Sequence, residues 1–232
     1  AAQILSVATG LIFTLLLTRN MTKQEYGIWS NIFDLVGYFT LFGGLFPFWA
    51  TRFAARGKEG VAKTGLIANL LVATVSAAIY AALVPSFTGA FNISGIYVAI
   101  YLIAALQIIN LHLISVLESV LRSEKPQAIG YGLLIEELCK VSLAYALIRA
   151  GLQIPLAAIA SLIVSLSLQI AYYTKLLSRD LKQEFRWSYL REWLKGSIAN
   201  VYYAIGNQAS ASVFILLFVY GGQAARGNYQ AA

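Results

Sequence analysis

The sequence has few charged residues, one cysteine and one histidine. Charged residues make up 12% of the 232 positions, whereas a soluble domain usually carries about a quarter. A chain that is also 59% hydrophobic cannot cover a water-facing surface, which excludes an ordinary soluble domain. The single cysteine, Cys139, excludes an internal disulfide and a cysteine-rich metal site. We therefore expect an integral membrane protein, with no metal site and no cofactor.

Catalytic signatures are also missing from the sequence. It contains no H-E-x-x-H, no G-x-S-x-G, no P-loop and no clustered aspartate pair suited to a metal-bound diphosphate. We predict that no residue is catalytic and that the protein is not an enzyme.

Long apolar runs are what the sequence does have. Each run is close to the roughly 20 residues that a helix needs to cross the hydrocarbon. The runs are continuous and do not alternate, which favours helices over an outer-membrane barrel. Pro85 and the small and polar residues after it are expected to end the third run. We predict an all-α polytopic transmembrane helix bundle with spans at 1–18, 28–51, 64–85, 96–117, 128–148, 155–174 and 196–220.

Lysine and arginine are unequally divided between the breaks. Twelve of them lie in 52–63, 122–125 and 175–195, after the second, fourth and sixth spans. The other breaks hold only four, which are Arg19, Lys23, Arg149 and Arg226. Because cationic loops stay cytoplasmic, the twelve residues predict the cytoplasmic side of a multi-pass protein. This distribution explains the net charge of +7 without a nucleic-acid partner.

A stripe of apolar residues recurs at every fourth position between Leu177 and Trp193, with basic residues between them. This pattern predicts an amphipathic helix on the inner leaflet, with its cations near anionic lipid headgroups. We consider 175–195 a cytoplasmic linker, which either couples two lobes or only lies at the interface.

Span five carries three ionisable residues. Glu136 and Lys140 are four residues apart, so they can pair on one helix face. They form either a self-neutralised structural patch or part of a site. Glu137 would remain without that partner, and we predict it to be an ion-coupling residue that carries H⁺ or Na⁺.

Span two carries one carboxylate, Asp34, with Asn31 one turn before it on the same face. No cation neighbours Asp34 within its own helix, which favours a functional role over a capping or hydrogen-bonding one. Gly43, Gly44 and Pro47 follow and permit a bend or a close helix contact. His112 in span four is expected to be a hydrogen-bonded structural residue rather than a functional one.

Arg19 and Arg52 lie at opposite ends of the first two spans. Inner-surface anchoring accounts for Arg52. Arg19 is on the less basic side, where attraction of an anion is a fair alternative.

Three segments resemble the Wzx-type polysaccharide flippases of the multidrug/oligosaccharidyl-lipid/polysaccharide (MOP) exporter superfamily. They are L-L-T-R-N-M-T-K-Q-E-Y-G-I-W-S, F-G-G-L-F-P-F-W-A-T-R-F-A-A-R-G and A-A-R-G-N-Y-Q-A-A. The resemblance implies two six-helix lobes, of which 1–174 would be the N-terminal lobe and 196–232 the first helix and outward turn of the second. An offset of 200 residues, which aligns Gly27 with Gly227, fits such a repeat.

The resemblance also implies a function. A wet cavity between the lobes would pass the headgroup of a lipid-linked oligosaccharide or polysaccharide across the cytoplasmic membrane by alternating access, in contact with membrane lipids. Its substrate-binding residues would be Arg19, Asn31, Asp34 and Arg52, and its ion-coupling residues Asp34 and Glu137. The alternatives are an ion-coupled drug or metabolite antiporter of the same superfamily, a noncatalytic membrane scaffold, and an intramembrane glycosyltransferase. Few cations lie deep within the spans, so the strongest diphosphate contacts are expected in the second lobe.

Overall fold

A computed structural model describes residues 2–197, 206, 218–224 and 227–228. Within these residues the chain is helical and has no strand, which confirms the predicted all-α transmembrane bundle. The long helices follow the apolar runs, because a helix satisfies its own backbone in hydrocarbon. The helices are α1 (Ala2–Asn20), α2 (Lys23–Phe39), α3 (Pro47–Ala54), α4 (Val61–Ala90), α5 (Gly95–Ile103), α6 (Ala105–Glu124), α7 (Pro126–Arg149), α8 (Ile154–Leu176) and α9 (Trp187–Gly196).

Three helical segments of the described chain are long and apolar enough to cross a membrane. They are α4, α5 together with α6, and α8. A fourth span is formed if α2 and the segment Leu41–Ala54 count as one, although they are bent by 46°. Helices α1 and α7, of 19 and 24 residues, occupy the first and fifth predicted spans. The seventh predicted span lies almost entirely outside the described residues.

The turn between α1 and α2 is fixed by a capping box. The Thr22 hydroxyl accepts a hydrogen bond from the Glu25 backbone N–H at 3.2 Å, and the Glu25 carboxylate accepts one from the Thr22 backbone N–H at 2.8 Å. These two bonds satisfy backbone donors that a helix start leaves open. The polar residues of this turn therefore start α2 at a defined residue.

The predicted bend in span two is confirmed. A 3-10 turn, Leu41–Gly44, follows α2, and Pro47 then starts α3. A break of this kind leaves carbonyl groups without helical partners. Asn69 of α4 donates its side-chain amide to the Gly43 carbonyl at 3.3 Å, and the Ser197 hydroxyl donates to the Leu45 carbonyl at 2.7 Å.

The third span ends within the segment of small and polar residues expected to end it, but not at Pro85 itself. Helix α4 continues for five residues to Ala90. Pro85 has no N–H to donate to the carbonyl of Ala81, four residues earlier, so α4 continues with one backbone hydrogen bond fewer. Transmembrane helices tolerate proline because the rest of the backbone remains hydrogen-bonded within the helix.

The turns that connect the helices lie at two opposite ends of the bundle. A polar cleft of about 110 Å³ is lined by residues from the α3–α4 turn, by Glu124 at the end of α6, and by Asp180 and Gln183 after α8. These are the segments that carry the twelve cations, so we call this the basic end. At the opposite end, Gln223 hydrogen-bonds to Gln24 in the first turn of α2 and to Asn92 after α4. The alternation of the predicted breaks is thus present in the fold.

The segment after α8 is not one continuous amphipathic helix, contrary to the prediction for 177–193. A 3-10 turn at Asp180–Lys182 and extended residues separate α8 from α9. Trp193 is fully buried against Phe46 and Phe53, with ring centroids 6.3 and 5.6 Å away. Its large apolar surface is buried against the protein, which holds α9 on the bundle.

Candidate functional site

A cluster of charged residues lies between α7 and α1. The Lys140 ammonium is 3.1 Å from a Glu136 carboxylate oxygen and 2.9 Å from a Glu137 oxygen. Ser6 and Thr9 of α1 donate hydrogen bonds to Glu137 at 3.1 and 2.9 Å. The three charged residues are only 5–8% exposed. We call these five residues the α7 cluster.

This geometry confirms the predicted Glu136–Lys140 pair and corrects the expectation for Glu137. Glu137 does not lack the lysine, because residues three apart in a helix share a face as residues four apart do. Lys140 therefore binds both carboxylates. An ion-coupling role for Glu137 stays a prediction, but it cannot rest on a missing partner.

The two polar residues predicted in span two have different surroundings. Asn31 is fully buried and accepts a hydrogen bond from the Tyr101 hydroxyl of α5 at 2.7 Å. Asp34, one turn later, is half-buried and interacts electrostatically with Tyr101. Asn31 therefore links α2 to α5, and its predicted contact with substrate stays a prediction.

Arg52 packs on a residue that lines a second polar cleft at the basic end. Its guanidinium stacks on the Phe48 ring, 4.1 Å from the centroid. Phe48 lines a cleft of about 230 Å³ between α3 and α6, and Arg122 of α6 lines the same cleft. Both arginines are exposed. Arg19 is also exposed, but it ends α1 at the other side of the bundle, so the structure does not bring Arg19 and Arg52 together.

The same cleft contains a carboxylate that the sequence analysis missed. Glu118 of α6 accepts hydrogen bonds from the Tyr173 hydroxyl at 3.1 Å and from the Gln169 amide at 3.3 Å. Glu118 is the first residue after the apolar run predicted for 96–117, so it was not among the ionisable residues sought within the spans. The spacing of Gln169 and Tyr173 on α8 predicts that these two side chains share a helix face, but it does not predict that this face meets Glu118.

His112 is a buried residue of the helix packing, as expected. It is fully buried, and its Nδ1 lies 2.9 Å from the Ile108 carbonyl oxygen of its own helix. The Asn69 amide donates to the His112 carbonyl at 2.8 Å, and the imidazole ring packs against Gly43. The hydrogen bonds of Asn69 and the contact of His112 with Gly43 hold α4 and α6 against the break in span two.

An apolar cavity of about 600 Å³ opens beside that break. Leu71 and Val75 of α4 line it and are more than half exposed. Its lining is almost entirely aliphatic and aromatic, which suits hydrocarbon rather than a charged headgroup. The remaining lining residues are Tyr38, Phe39, Phe42, Leu45, Val72, Ser76 and Ile79.

The two turns that are 200 residues apart meet at the end opposite the basic one. A methyl group built on Gly27 would overlap the Gln223 carbonyl oxygen, and one built on Gly227 would overlap the Lys23 carbonyl oxygen. The two contacts are related by the 200-residue offset. The glycines allow the backbones to approach, as small residues do where membrane helices cross closely.

Metal-ligating groups are not assembled in the described part of the chain. No set of three or more His, Cys, Asp or Glu residues there could hold a metal ion.

The fold matches transporters of known structure. A MOP superfamily transporter from Pyrococcus furiosus Vc1 (DSM3638), whose binding pocket is described as reversed in polarity, superposes with a TM-score of 0.68 at 16% identity. A multidrug resistance MATE family transporter of the MOP superfamily, in an inward-facing conformation, superposes with a TM-score of 0.67 at 12% identity. The matches cover 94% and 95% of this chain but 52% and 60% of those proteins. At these identities the likeness shows the fold.

Sequence comparison adds no family. No family model matches the chain, and no curated protein matches it.

Proposed function

We propose that the chain belongs to an alternating-access transporter that moves a lipid-linked oligosaccharide or polysaccharide precursor across the cytoplasmic membrane. The observation that carries the transporter class is the fold, which matches two MOP superfamily transporters over nearly the whole chain. The chain spans little more than half the length of those proteins. The proposed transport activity therefore belongs to a transporter with more helices than this chain contains. The finer assignment to a flippase depends on the charges of the site.

The cleft of about 230 Å³ between α3 and α6 supports the proposal that the substrate has an anionic headgroup. Arg52 and Arg122 are exposed cations from two different helices, and Phe48 holds the Arg52 guanidinium by stacking. Arginine is suited to phosphate because its planar fork makes paired hydrogen bonds. We assign these two residues to the diphosphate of the substrate on the cytoplasmic side, and Arg19 to the diphosphate on the outer side.

The contact between the two distant turns supports the proposed division into lobes. In this division 1–174 is the first lobe, 175–195 the linker, and 196–232 the start of the second lobe. Repeated lobes related by an axis are common in transporters, and equivalent turns then meet symmetrically. The reciprocal contacts of Gly27 and Gly227 have this form.

A second candidate function is an ion-coupled drug or metabolite antiporter. The α7 cluster favours it, since two buried carboxylates close to α1 are a means of coupling to H⁺ or Na⁺. Such a transporter needs acidic groups such as Asp34 more than it needs the two arginines.

Transport of a lipid-linked glycan in cells or liposomes separates the two candidates. Arg52→Gln and Arg122→Gln should each lower glycan export by on the order of tenfold, since a charge-assisted hydrogen bond contributes about 1.5–3 kcal/mol. Arg149→Gln is the matched control, because Arg149 is an exposed cation at the other end. Normal glycan export in both cleft variants, together with drug efflux, would support the antiporter.

The carboxylate of span two is tested by Asp34→Asn. The amide keeps the shape of the side chain, so we expect the variant to insert and fold normally but to export lipid-linked glycan poorly. Export at the normal rate would make Asp34 structural, and ion coupling would then be sought at the α7 cluster.

A further inference from the structure

The α7 cluster holds more negative than positive charge. Its two carboxylates and one ammonium sum to −1 when all three are ionised. A net charge buried in a span costs several kcal/mol, and such a group takes up a proton instead of remaining charged. We propose that the α7 cluster is a binding site for one proton, which is carried by Glu136.

The helices that pack against α7 do not supply the missing positive charge. Helix α1 contributes the Ser6 and Thr9 hydroxyls, and its one cation, Arg19, ends the helix ten residues further on. On α7 itself, Cys139 lies near Glu136 but cannot supply a positive charge. The ionisable side chains of α8 and of the end of α6 belong to the basic end and are Tyr172, Tyr173, Lys175, Glu118, Arg122 and Glu124.

The hydrogen bonds show which carboxyl group holds the proton. Glu137 receives three donors, from Lys140 at 2.9 Å, Thr9 at 2.9 Å and Ser6 at 3.1 Å. Within the described part of the chain, the donor to Glu136 is Lys140, at 3.1 Å. Donors stabilise the ionised form of a carboxyl group, so Glu137 remains the carboxylate.

Both carboxyl groups lie against the same ammonium, since the Lys140 nitrogen is 3.1 Å from Glu136 and 2.9 Å from Glu137. One ammonium neutralises only one of two carboxylates. With the proton on Glu136, the cluster as a whole is neutral.

A proton fits this site better than a metal cation. The Lys140 ammonium lies within 3.1 Å of both carboxylates, where it would repel a second cation placed between them. A proton adds no volume and removes the repulsion between the two carboxylates. The assignment therefore moves the predicted carrier role from Glu137 to Glu136; the use of this proton to drive transport rests on the proposed function.

Infrared difference spectroscopy of the full protein in liposomes tests the site without any substrate. The C=O stretch of a protonated carboxyl group, identified by its shift in D₂O, is followed as the pH is raised. The wild type should show one such band that disappears at alkaline pH. Glu136→Gln and Glu137→Gln should both lose it, because each leaves one carboxylate paired with Lys140. In Lys140→Met the band should persist to higher pH, because no ammonium is then present to stabilise the ionised form of the two carboxyl groups.

Two controls define the outcomes. Glu118→Gln removes a half-buried carboxyl group elsewhere in the bundle, and Glu192→Gln removes an exposed one on α9; both should keep the band. A band that survives in both Glu136→Gln and Glu137→Gln overturns the site. Loss of the band on adding Na⁺ at constant pH also overturns it, in favour of a metal cation. The band without glycan export would leave the proton site standing and reject the proposed function, and export without the band would do the reverse.

Discussion

Lys140 is the residue on which the charge balance of α7 depends. Lys140→Ala leaves two buried carboxyl groups without an ammonium, so we expect the free energy of unfolding to fall by about 3–5 kcal/mol. The triple variant Lys140→Ala, Glu136→Gln, Glu137→Gln removes the stranded charges as well and should recover most of that loss. Equilibrium unfolding in detergent micelles measures both. Additive losses would mean that the three groups face water separately.

Gly132 of α7 permits the close approach of Tyr173. A methyl group at this position would overlap the Tyr173 ring, whose hydroxyl donates to Glu118. Gly132→Ala should therefore lower the free energy of unfolding by about 1–3 kcal/mol, the usual cost of overpacking. Gly10→Ala in α1 is the matched control, because no atom lies within 4 Å of the added methyl group. A control that lost as much stability as Gly132→Ala would remove Tyr173 from the explanation.

Single residues also show what the sequence predicts and what it leaves out. The Glu136–Lys140 pair follows from a fixed helical spacing, so it was predictable. The hydrogen bonds of Glu137 to Ser6 and Thr9 join positions about 130 residues apart, and no local spacing encodes which helices become neighbours. The same reason hid the contact of Glu118 with Tyr173.

Among the elements, the broken second span depends on polar groups from other helices. Asn69→Leu removes the donor to the Gly43 carbonyl and leaves that oxygen buried, so stability should fall by about 1–3 kcal/mol. The break should become more mobile, which amide hydrogen exchange at 41–46 would detect. Thr74→Val on the exposed face of α4 is the control, because its hydroxyl bonds only to its own helix. Equal exchange in both variants would contradict the role given to Asn69.

The elements differ in how far the sequence determined them. The bend was predictable because two glycines and Pro47 occur together in an apolar run. The end of α4 was not, because a transmembrane helix tolerates the one hydrogen bond that Pro85 removes, and α4 continues to Ala90. The apolar stripe at 177–193 predicts an amphipathic helix on a lipid surface. In the structure Trp193 is instead buried against α3.

At the scale of the whole molecule, the contact between α2 and 218–224 joins segments that the proposed function assigns to different lobes. The Gln24 amide lies 2.7 Å from the Gln223 side-chain oxygen. With Cys139 replaced by Ala, Gln24→Cys and Gln223→Cys should be joined by a short thiol cross-linker. Because alternating access needs the lobes to separate at this end, the cross-link should stop transport, and cleaving it should restore transport.

A pair at opposite ends serves as the control for this experiment. Gln24→Cys with Glu184→Cys should not be cross-linked, since Glu184 follows α8 at the basic end. A cross-linked Gln24–Gln223 pair that still transports at full rate would show that the contact does not open during the cycle.

The reciprocal contact of the two glycines has a consequence for how relatives of this protein vary. Each glycine makes room for the backbone of the other turn, so a larger residue at position 27 pushes away the same segment that carries Gly227. Once the turns have moved apart, a glycine at 227 is no longer required, and the constraint on both positions is released together. Positions 27 and 227 should therefore covary, with small residues at both or larger ones at both. Independent variation at the two positions among relatives would show that the turns do not need this approach.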